Sequence, residues 1–460
     1  GWTDLEQRDA RSVIHPFTPV GSTRSDPGSV IASGEGIYVF DQNGNRFIEG
    51  LSGLFNASLG FSEKRLVEAA MKQLSRLPVY HTFAGMTTEP VVELAERLLQ
   101  IAPVPMNKAF FACSGSEAND TAVKTIWYYF NSIGKPKKKK IISRRKSYHG
   151  MTLASASLTG VAANHAEFDL PLGRFLHVED PNYYVNSHSG ESEADFAARL
   201  AADLESLIVA EGPETIAAFF ADPVSAPGGM VVPPEGYFEK IQAVLKKHDV
   251  LFVADEVICG FGRTGRMFAT ETFDLRPDIM TMAKQLSSGY MPISAMLVND
   301  RIVEGLEEQS RKRGSYSHGF TYGGHPVAAA VALETLNIYA ERDIVGHVQR
   351  TSPLFQSRAH ALAAHPLVGC VRGIGLLSGF ELVKDKMSRE RFPQDANIAG
   401  QLATRCKHHG ILTRGGDDIL TLSPPLVITA KQVDDLFDRL ERAFDDTLEW
   451  AKREGLLPGS

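Results

Sequence analysis

Two short apolar runs end in residues well suited to chemistry. Val250 to Ala254 stops at Asp255 and Glu256, and Ile279 to Ala283 stops at Lys284, with Ser287, Ser288 and Gly289 following. A run of this kind, bounded by polar residues, reads as a buried strand of a parallel sheet. The carboxyl ends of such strands are where open α/β sheets bind their ligands. Asp255 and Lys284, 29 residues apart, are thus expected to leave the sheet at one ligand edge. There an acid and an amine can grip opposite sides of one cofactor.

Other stretches could serve the same edge. From Phe110 to Asn119 the sequence FFACSGSEAN reads as a strand end, then small hydroxyl residues and a glycine, then a helix start. Free amides and Ser hydroxyls at a helix N-terminus bind anions, and Gly115 allows close backbone approach. An ordinary N-cap at Ser114 or Ser116, with an acid following, is the competing reading. Tyr148-His149-Gly150 follows a further strand end, with plain packing as its alternative. The small-residue loop Gly319 to Pro326 opens a helix at Val327, and the hydroxyl of Thr321 with nearby amides could meet a second phosphate face or merely connect elements. Arg414, beside Gly415 and Gly416, offers a guanidinium fork that suits a carboxylate; a surface arginine is the alternative.

Two patterns are set aside. Gly260 to Gly265 matches G-x-G-x-x-G, but Asp255 and Glu256 put negative charge where a pyrophosphate would lie, and no helix-periodic run follows Gly265. A flexible glycine loop is expected instead. Lys137 to Lys140 follows Gly134 and Pro136 and precedes a strand, so a solvated loop is expected rather than a nucleic-acid patch.

The elements that must hold these residues are legible as alternating runs. Ala109 to Ala112, Ile141 to Ser143, Phe175 to Val178, Ile216 to Ala221, Val250 to Ala254, Ile279 to Ala283 and Ala295 to Val298 alternate with helical stretches, which predicts a mostly parallel sheet with flanking helices. Before them stand an extended arm over the first 35 residues, a hairpin around Asp41 to Asn45, and helical periodicity at Leu66 to Leu77 and Val91 to Ile101. After about residue 330 the pattern becomes α+β: strands at Val368 to Val371, Leu376 to Leu382 and Ile419 to Leu422, then a helix capped by Thr429 and Gln432. The expected organisation is an arm with part of a small domain over 1–60, a large domain over 61–330, and the rest of the small domain over 331–460.

Composition excludes several classes. A net charge of −7 over 460 residues gives no nucleic-acid surface. The cysteines Cys113, Cys259, Cys370 and Cys406 are scattered without a C-x-x-C pair, which fits a reducing, cytoplasmic setting and no thiolate metal site. No apolar run approaches ~18 residues, so no membrane span is expected, and the N-terminus lacks the charge and apolar pattern of a signal peptide.

Together these stretches resemble the class III (subgroup II) aminotransferases on the pyridoxal 5′-phosphate (PLP) fold-type I scaffold, nearest to the amine:pyruvate (ω-) transaminases. The resemblance rests on Gly34-Glu-Gly-Ile-Tyr, Ser114-Gly-Ser-Glu-Ala-Asn-Asp, Tyr148-His-Gly, Ala254-Asp-Glu-Val-Ile-Cys-Gly-Phe-Gly-Arg-Thr-Gly, Ala283-Lys, Ser287-Ser-Gly-Tyr and Gly319-Phe-Thr-Tyr, in that order along the chain. It implies an α/β fold with PLP held covalently by Lys284, which then shuttles the proton of the substrate carbon. Asp255 would keep the pyridine nitrogen protonated, Val257 and Tyr148 would cover the two ring faces, and Ser114, Gly115 and Ser116 would bind phosphate. Thr321 would come from the second subunit of a homodimer with shared active sites, a tetramer being the alternative assembly. Phe17, Leu54, Phe55 and Phe83, with Tyr148, would line the amine pocket, and Arg414 would pair with the keto-acid carboxylate.

The implied reaction moves an amino group from a primary amine or ω-amino acid to pyruvate. The alternative is a β-alanine, GABA or polyamine transaminase using pyruvate or 2-oxoglutarate, and a PLP aminomutase or racemase is more remote. Asp222 is counted with the cofactor contacts; two departures stand out, Asp222 with Pro227 at the pocket rim where the family usually has Glu-Pro, and Gln285 in place of the usual Gly.

Overall fold

The computed structural model describes residues 2–20 and 29–457. Three strands come first: β1 (Ile31–Glu35), β2 (Tyr38–Asp41) and β3 (Arg46–Glu49). β2 and β3 form the expected antiparallel hairpin, and its turn closes because the Asp41 carboxylate accepts the backbone N–H groups of Asn43 and Asn45, each at 2.9 Å.

Seven strands then build the central sheet: β4 (Lys108–Ala112), β5 (Lys140–Arg144), β6 (Phe175–Val178), β7 (Ile216–Ala221), β8 (Leu251–Asp255), β9 (Ile279–Met282) and β10 (Ser294–Val298). Their order in space is β4-β10-β9-β8-β7-β5-β6. β10 runs antiparallel to both neighbours, and the other pairings are parallel. All seven expected runs are strands. β7, β8 and β9 are buried along their whole length, which is why they read as continuous apolar runs rather than alternating ones. The period of two survives in which side each residue feeds. Phe219 and Ala221 pack with the helices Glu193–Glu211 and Tyr237–Lys247, while Ala218 and Phe220 pack with the helix Gly115–Ser132 on the opposite face.

The last part holds β11 (Val368–Ile374), β12 (Leu377–Leu382), β13 (Ile411–Leu412), β14 (Arg414–Gly416) and β15 (Ile419–Leu422). β11-β12-β15-β14 is an antiparallel sheet. β13 instead joins β3 in parallel, with Ile411 opposite Ile48 and Leu412 opposite Glu49, so the two ends of the chain share one sheet. The helix Ala430–Arg453 starts at the capping box of Thr429 and Gln432 and buries Val433, Leu436, Phe437, Leu440 and Phe444.

Three expectations need correction. The arm is not extended throughout: Asp4–Ser12 is a helix started by a Thr3–Glu6 capping box, whereas Ile31–Glu35 is extended as β1, and residues 21–28 of the arm lie outside the described residues. That helix buries none of its residues, so it has no core-facing apolar stripe to betray it. The Gly260–Gly265 segment is no flexible surface loop; Phe261 and Arg263 in it are essentially inaccessible. Of the lysine run, Lys138 is buried, where its ammonium donates to the carbonyls of Ile216 at 3.0 Å and Asp249 at 2.6 Å. Its long apolar stem made that burial affordable and hid it in a charge run.

Candidate active site

β8 and β9 are parallel neighbours, with Asp255 in register with Thr281, so their carboxyl ends open on the same edge. Asp255 ends β8 and is buried. Its Oδ2 meets His149 Nδ1 at 2.7 Å and accepts from Asn119 Nδ2 at 2.9 Å, while Oδ1 accepts the Val257 amide at 3.0 Å. Both side-chain partners are themselves held. Asn119 Oδ1 accepts the Thr281 hydroxyl at 2.8 Å, and the His149 amide donates to Thr159 Oγ1 at 2.8 Å. Asp255 is thereby kept in one orientation.

Lys284 follows β9 with a left-handed φ of 46°, an uncommon conformation for a residue with a side chain. Its ammonium donates to the Leu54 carbonyl at 2.9 Å and stands 5.8 Å from the centre of the Phe55 ring. Its pKa is lowered to about 8, chiefly by desolvation; nearby Asp255 opposes the shift and Arg414 adds to it. A lysine of that basicity has a substantial neutral fraction near neutral pH, as a nucleophile or base requires.

Between them lies a cavity of about 390 Å³ whose lining includes Ser114, Gly115, Ser116, Tyr148, Asp222, Asp255, Val257 and Lys284. The helix Gly115–Ser132 points its N-terminus into this space. Ser114 is its N-cap, accepting the Glu117 amide at 3.1 Å and donating to the Glu117 carboxylate at 2.9 Å. Its hydroxyl is therefore committed to the cap, and the first-turn amides of Gly115 and Ser116 are left for an anion. Gly115 has little room to spare, since an added Cβ would sit 3.0 Å from Val257 Cγ1. Gly150 is tighter still: with φ of 125°, its Cβ would fall 2.4 Å from Ser116 Oγ, the same oxygen that accepts the Met151 amide at 3.0 Å.

The remaining expected residues lie outside that lining. Leu54 and Phe55 reach it through their contacts with Lys284. Phe17, largely exposed with φ of 53°, sits 5.8 Å from the Arg414 guanidinium. Arg414 is exposed on β14, yet its charge acts on both Lys284 and Tyr148. Phe83 is exposed and lies against Gly319. Thr321 is exposed and Pro227 half-buried. Within the lining itself, Asp222 is buried against Arg144, with Nη2 to Oδ1 at 3.0 Å, and accepts the Tyr148 amide at 3.2 Å.

Asn119 and His149 are the functional residues that sequence reasoning passed over. Both stood inside stretches singled out for their neighbours. A signal existed for Asn119: it is a polar residue on the buried face of its helix, beside Ala118, Ala122 and Ile126, where an amide must have partners. The Gln285 departure also gains a physical account. Its side chain is fully buried, and Nε2 donates to the carbonyls of Gly260 at 2.7 Å and Ile258 at 3.3 Å, tying the turn after Lys284 to the glycine segment after Asp255.

A mostly parallel sheet bearing a fixed acid at one strand end and a lysine of lowered basicity at the next is the PLP fold-type I arrangement. The chain belongs to the class III aminotransferases: the family model for aminotransferase class-III matches residues 21–444. It is 48% identical over 446 residues to gamma aminobutyrate transaminase 3, chloroplastic, of Solanum lycopersicum, covering 97% of this chain and 86% of that protein. With the vanillin aminotransferase of Capsicum annuum it shares 47% identity over 436 residues, 95% of each. The structure superposes on the omega transaminase of Pseudomonas jessenii in complex with PMP with a TM-score of 0.97, at 48% identity and with 100% of both chains covered. The enzyme is thus a PLP-dependent aminotransferase. Its cavity suits that cofactor, having an anion-binding helix end, a fixed acid for a basic ring nitrogen, and an amine for an aldehyde.

Proposed function

We propose that this enzyme transfers the amino group of a primary amine or an ω-amino acid to pyruvate. The observation that carries the reading is the pairing, across one cavity, of Asp255 fixed by His149 and Asn119 with Lys284 brought to a pKa of about 8. When bound, PLP supplies an aldehyde carbon and a protonated ring that draws electrons from the substrate carbon. Asp255 keeps the ring nitrogen protonated. Lys284 would hold the cofactor through its side-chain amine, and that same amine would carry the proton of the substrate carbon. Its lowered pKa suits both duties, and the Leu54 carbonyl gives its free ammonium a resting partner.

Gly115 and Ser116 bind the phosphate through first-turn amides, with Ser114 fixing that turn. Val257 and Tyr148 bound the ring on its two faces. Thr321 reaches the phosphate of a neighbouring subunit, so the working unit is a homodimer. Phe17, Leu54, Phe55 and Phe83 receive the apolar part of the amine, Asp222 joins the cofactor contacts, Pro227 shapes the rim, and Arg414 takes the acceptor's carboxylate. The four unpaired cysteines favour a reducing compartment; the cytoplasm is our reading, although the tomato relative is named for the chloroplast.

The names of several relatives make 4-aminobutyrate the first donor to try. Single amines are added to the cofactor-loaded enzyme without acceptor, and loss of the cofactor's visible absorbance is followed. Pyruvate or 2-oxoglutarate is then added. Bleaching by primary amines or ω-amino acids and recovery with pyruvate is the expected result. Recovery with 2-oxoglutarate alone would remove the assignment of Arg414, and turnover of a single substrate without keto acid would point to an isomerase.

A further inference from the structure

Arg414 lies on a short hairpin whose two ends are held very differently. At its root, Gly415 packs flush against the helix Ile398–His408, so that an added Cβ would lie 2.1 Å from the Ala399 carbonyl oxygen. At its tip, Asp417 and Asp418 both take left-handed backbone, with φ of 52° and 61°, as a two-residue turn between antiparallel strands requires. The Asp417 carboxylate reaches across to Lys146 Nζ at 3.1 Å.

Lys146 stands two residues before Tyr148 and is itself fixed in an uncommon conformation. Its φ is 58°, its amide donates to the Gly160 carbonyl at 2.9 Å, and its carbonyl accepts the Ser225 hydroxyl at 2.6 Å. The pair therefore ties the strand-end segment carrying Tyr148 to the hairpin carrying Arg414. Between these anchors the guanidinium faces the Phe17 ring and, among the described residues, meets no carboxylate. It is a poised but loosely held cation.

We propose that the Lys146–Asp417 ion pair positions Arg414 for the carboxylate of the keto-acid acceptor, so that Lys146 and Asp417 set acceptor affinity without touching the acceptor. The inference rests on the assignment of Arg414 made above. An untethered tip would let the arginine sample more positions and lose part of its bidentate geometry. The amine half of the cycle, which places no carboxylate on Arg414 when the donor is apolar, does not depend on the tether. The pair is about half exposed on each side, at 48% and 60%, so salt weakens it.

The test uses the cofactor-loaded enzyme and two readouts: calorimetric binding of propionate, a carboxylate that cannot react, and the separate half-reactions with an apolar amine and with pyruvate. Lys146→Met and Asp417→Asn should each raise the propionate Kd and the pyruvate KM by about twofold to fivefold, the range of an exposed ion pair. The apolar-amine half-reaction and kcat should stay unchanged. Lys146→Arg should retain wild-type values, and Lys146→Asp combined with Asp417→Lys should restore them. Raising ionic strength should weaken propionate binding more in the wild type than in Lys146→Met.

Arg414→Leu separates the two claims. If it weakens propionate binding while the tether variants do not, the positioning role is wrong and the assignment of Arg414 stands. If Arg414→Leu leaves binding unchanged, both fall. Equal slowing of both half-reactions in the tether variants would also overturn the proposal, because it would mean a general loss of structure.

Discussion

In the proposed reaction Lys284 and Asp255 would do opposite things with a proton, and the surroundings of each suit that part. Burial depresses the lysine, and a net of hydrogen bonds holds the aspartate. Lys284→Ala is expected to abolish turnover and the absorbance of covalently held cofactor; retained turnover would remove the central assignment. Asp255→Asn should lower kcat by about 10²-fold or more, as loss of a positioned proton partner does, with cofactor still bound.

The depressed lysine also predicts a stability profile for the cofactor-free protein. Between pH 8 and 10.5 the unfolded chain binds more protons at this site than the folded one, so stability rises with pH across that window. Lys284→Met should remove that contribution, which is read as a flatter dependence of the melting temperature on pH than in the wild type.

At the scale of elements, the segment joining the two strand ends is a buried brace. Glu256 accepts the amides of Ala269 and Thr270, each at 3.1 Å, and the Thr270 hydroxyl at 3.1 Å, while Gln285 holds the Gly260 carbonyl. Burial raises the Glu256 carboxyl to about 7. Because the folded state keeps this proton and the unfolded state loses it near 4.5, the group's contribution to stability declines as pH rises from 4.5 through 7. Glu256→Gln should flatten that decline in a melting series.

Gln285→Ala would leave the Gly260 carbonyl buried without this donor, at a cost of about 1–3 kcal/mol, measurable by chemical denaturation. The apolar runs of β7 and β8 could be read directly because burial on both faces leaves an unbroken apolar signal. The brace could not. Gly260 to Gly265 looks like an open loop in one dimension, and Arg263 gives no sign that its guanidinium will donate to Ser52 Oγ at 2.7 Å across 211 residues.

For the whole molecule, the sheet shared by β3 and β13 joins the first and last segments of the chain, and Arg263 fastens the loop after β3 from the other side. Outside that frame stand exposed apolar side chains: Met71 at 62% and Leu74 at 50%, three residues apart on the helix Lys64–Arg76, then Phe83 at 48% and Met86 at 47% exposed. Exposed apolar side chains of this kind suit a subunit interface, in keeping with the proposed dimer. Sedimentation of the wild type should give a dimer. Met71→Asp with Leu74→Asp should give monomers that stay folded by circular dichroism but lose activity, because Thr321 would no longer reach a neighbour's phosphate site. An active monomer would remove the shared-site reading.

The seven strands of the central sheet, and the presence of an acid and a lysine at two strand ends, were determined by the sequence alone. Burial, helical period and turn chemistry are local properties, and they leave local marks. Which residues hold Asp255 was decided only by the tertiary structure. His149 and Asn119 lie 106 and 136 residues before it, and nothing in either neighbourhood specifies the meeting. Lys284 loses its proton easily for the same kind of reason: desolvation is set by everything packed around the amine, and that includes a loop 230 residues earlier in the chain.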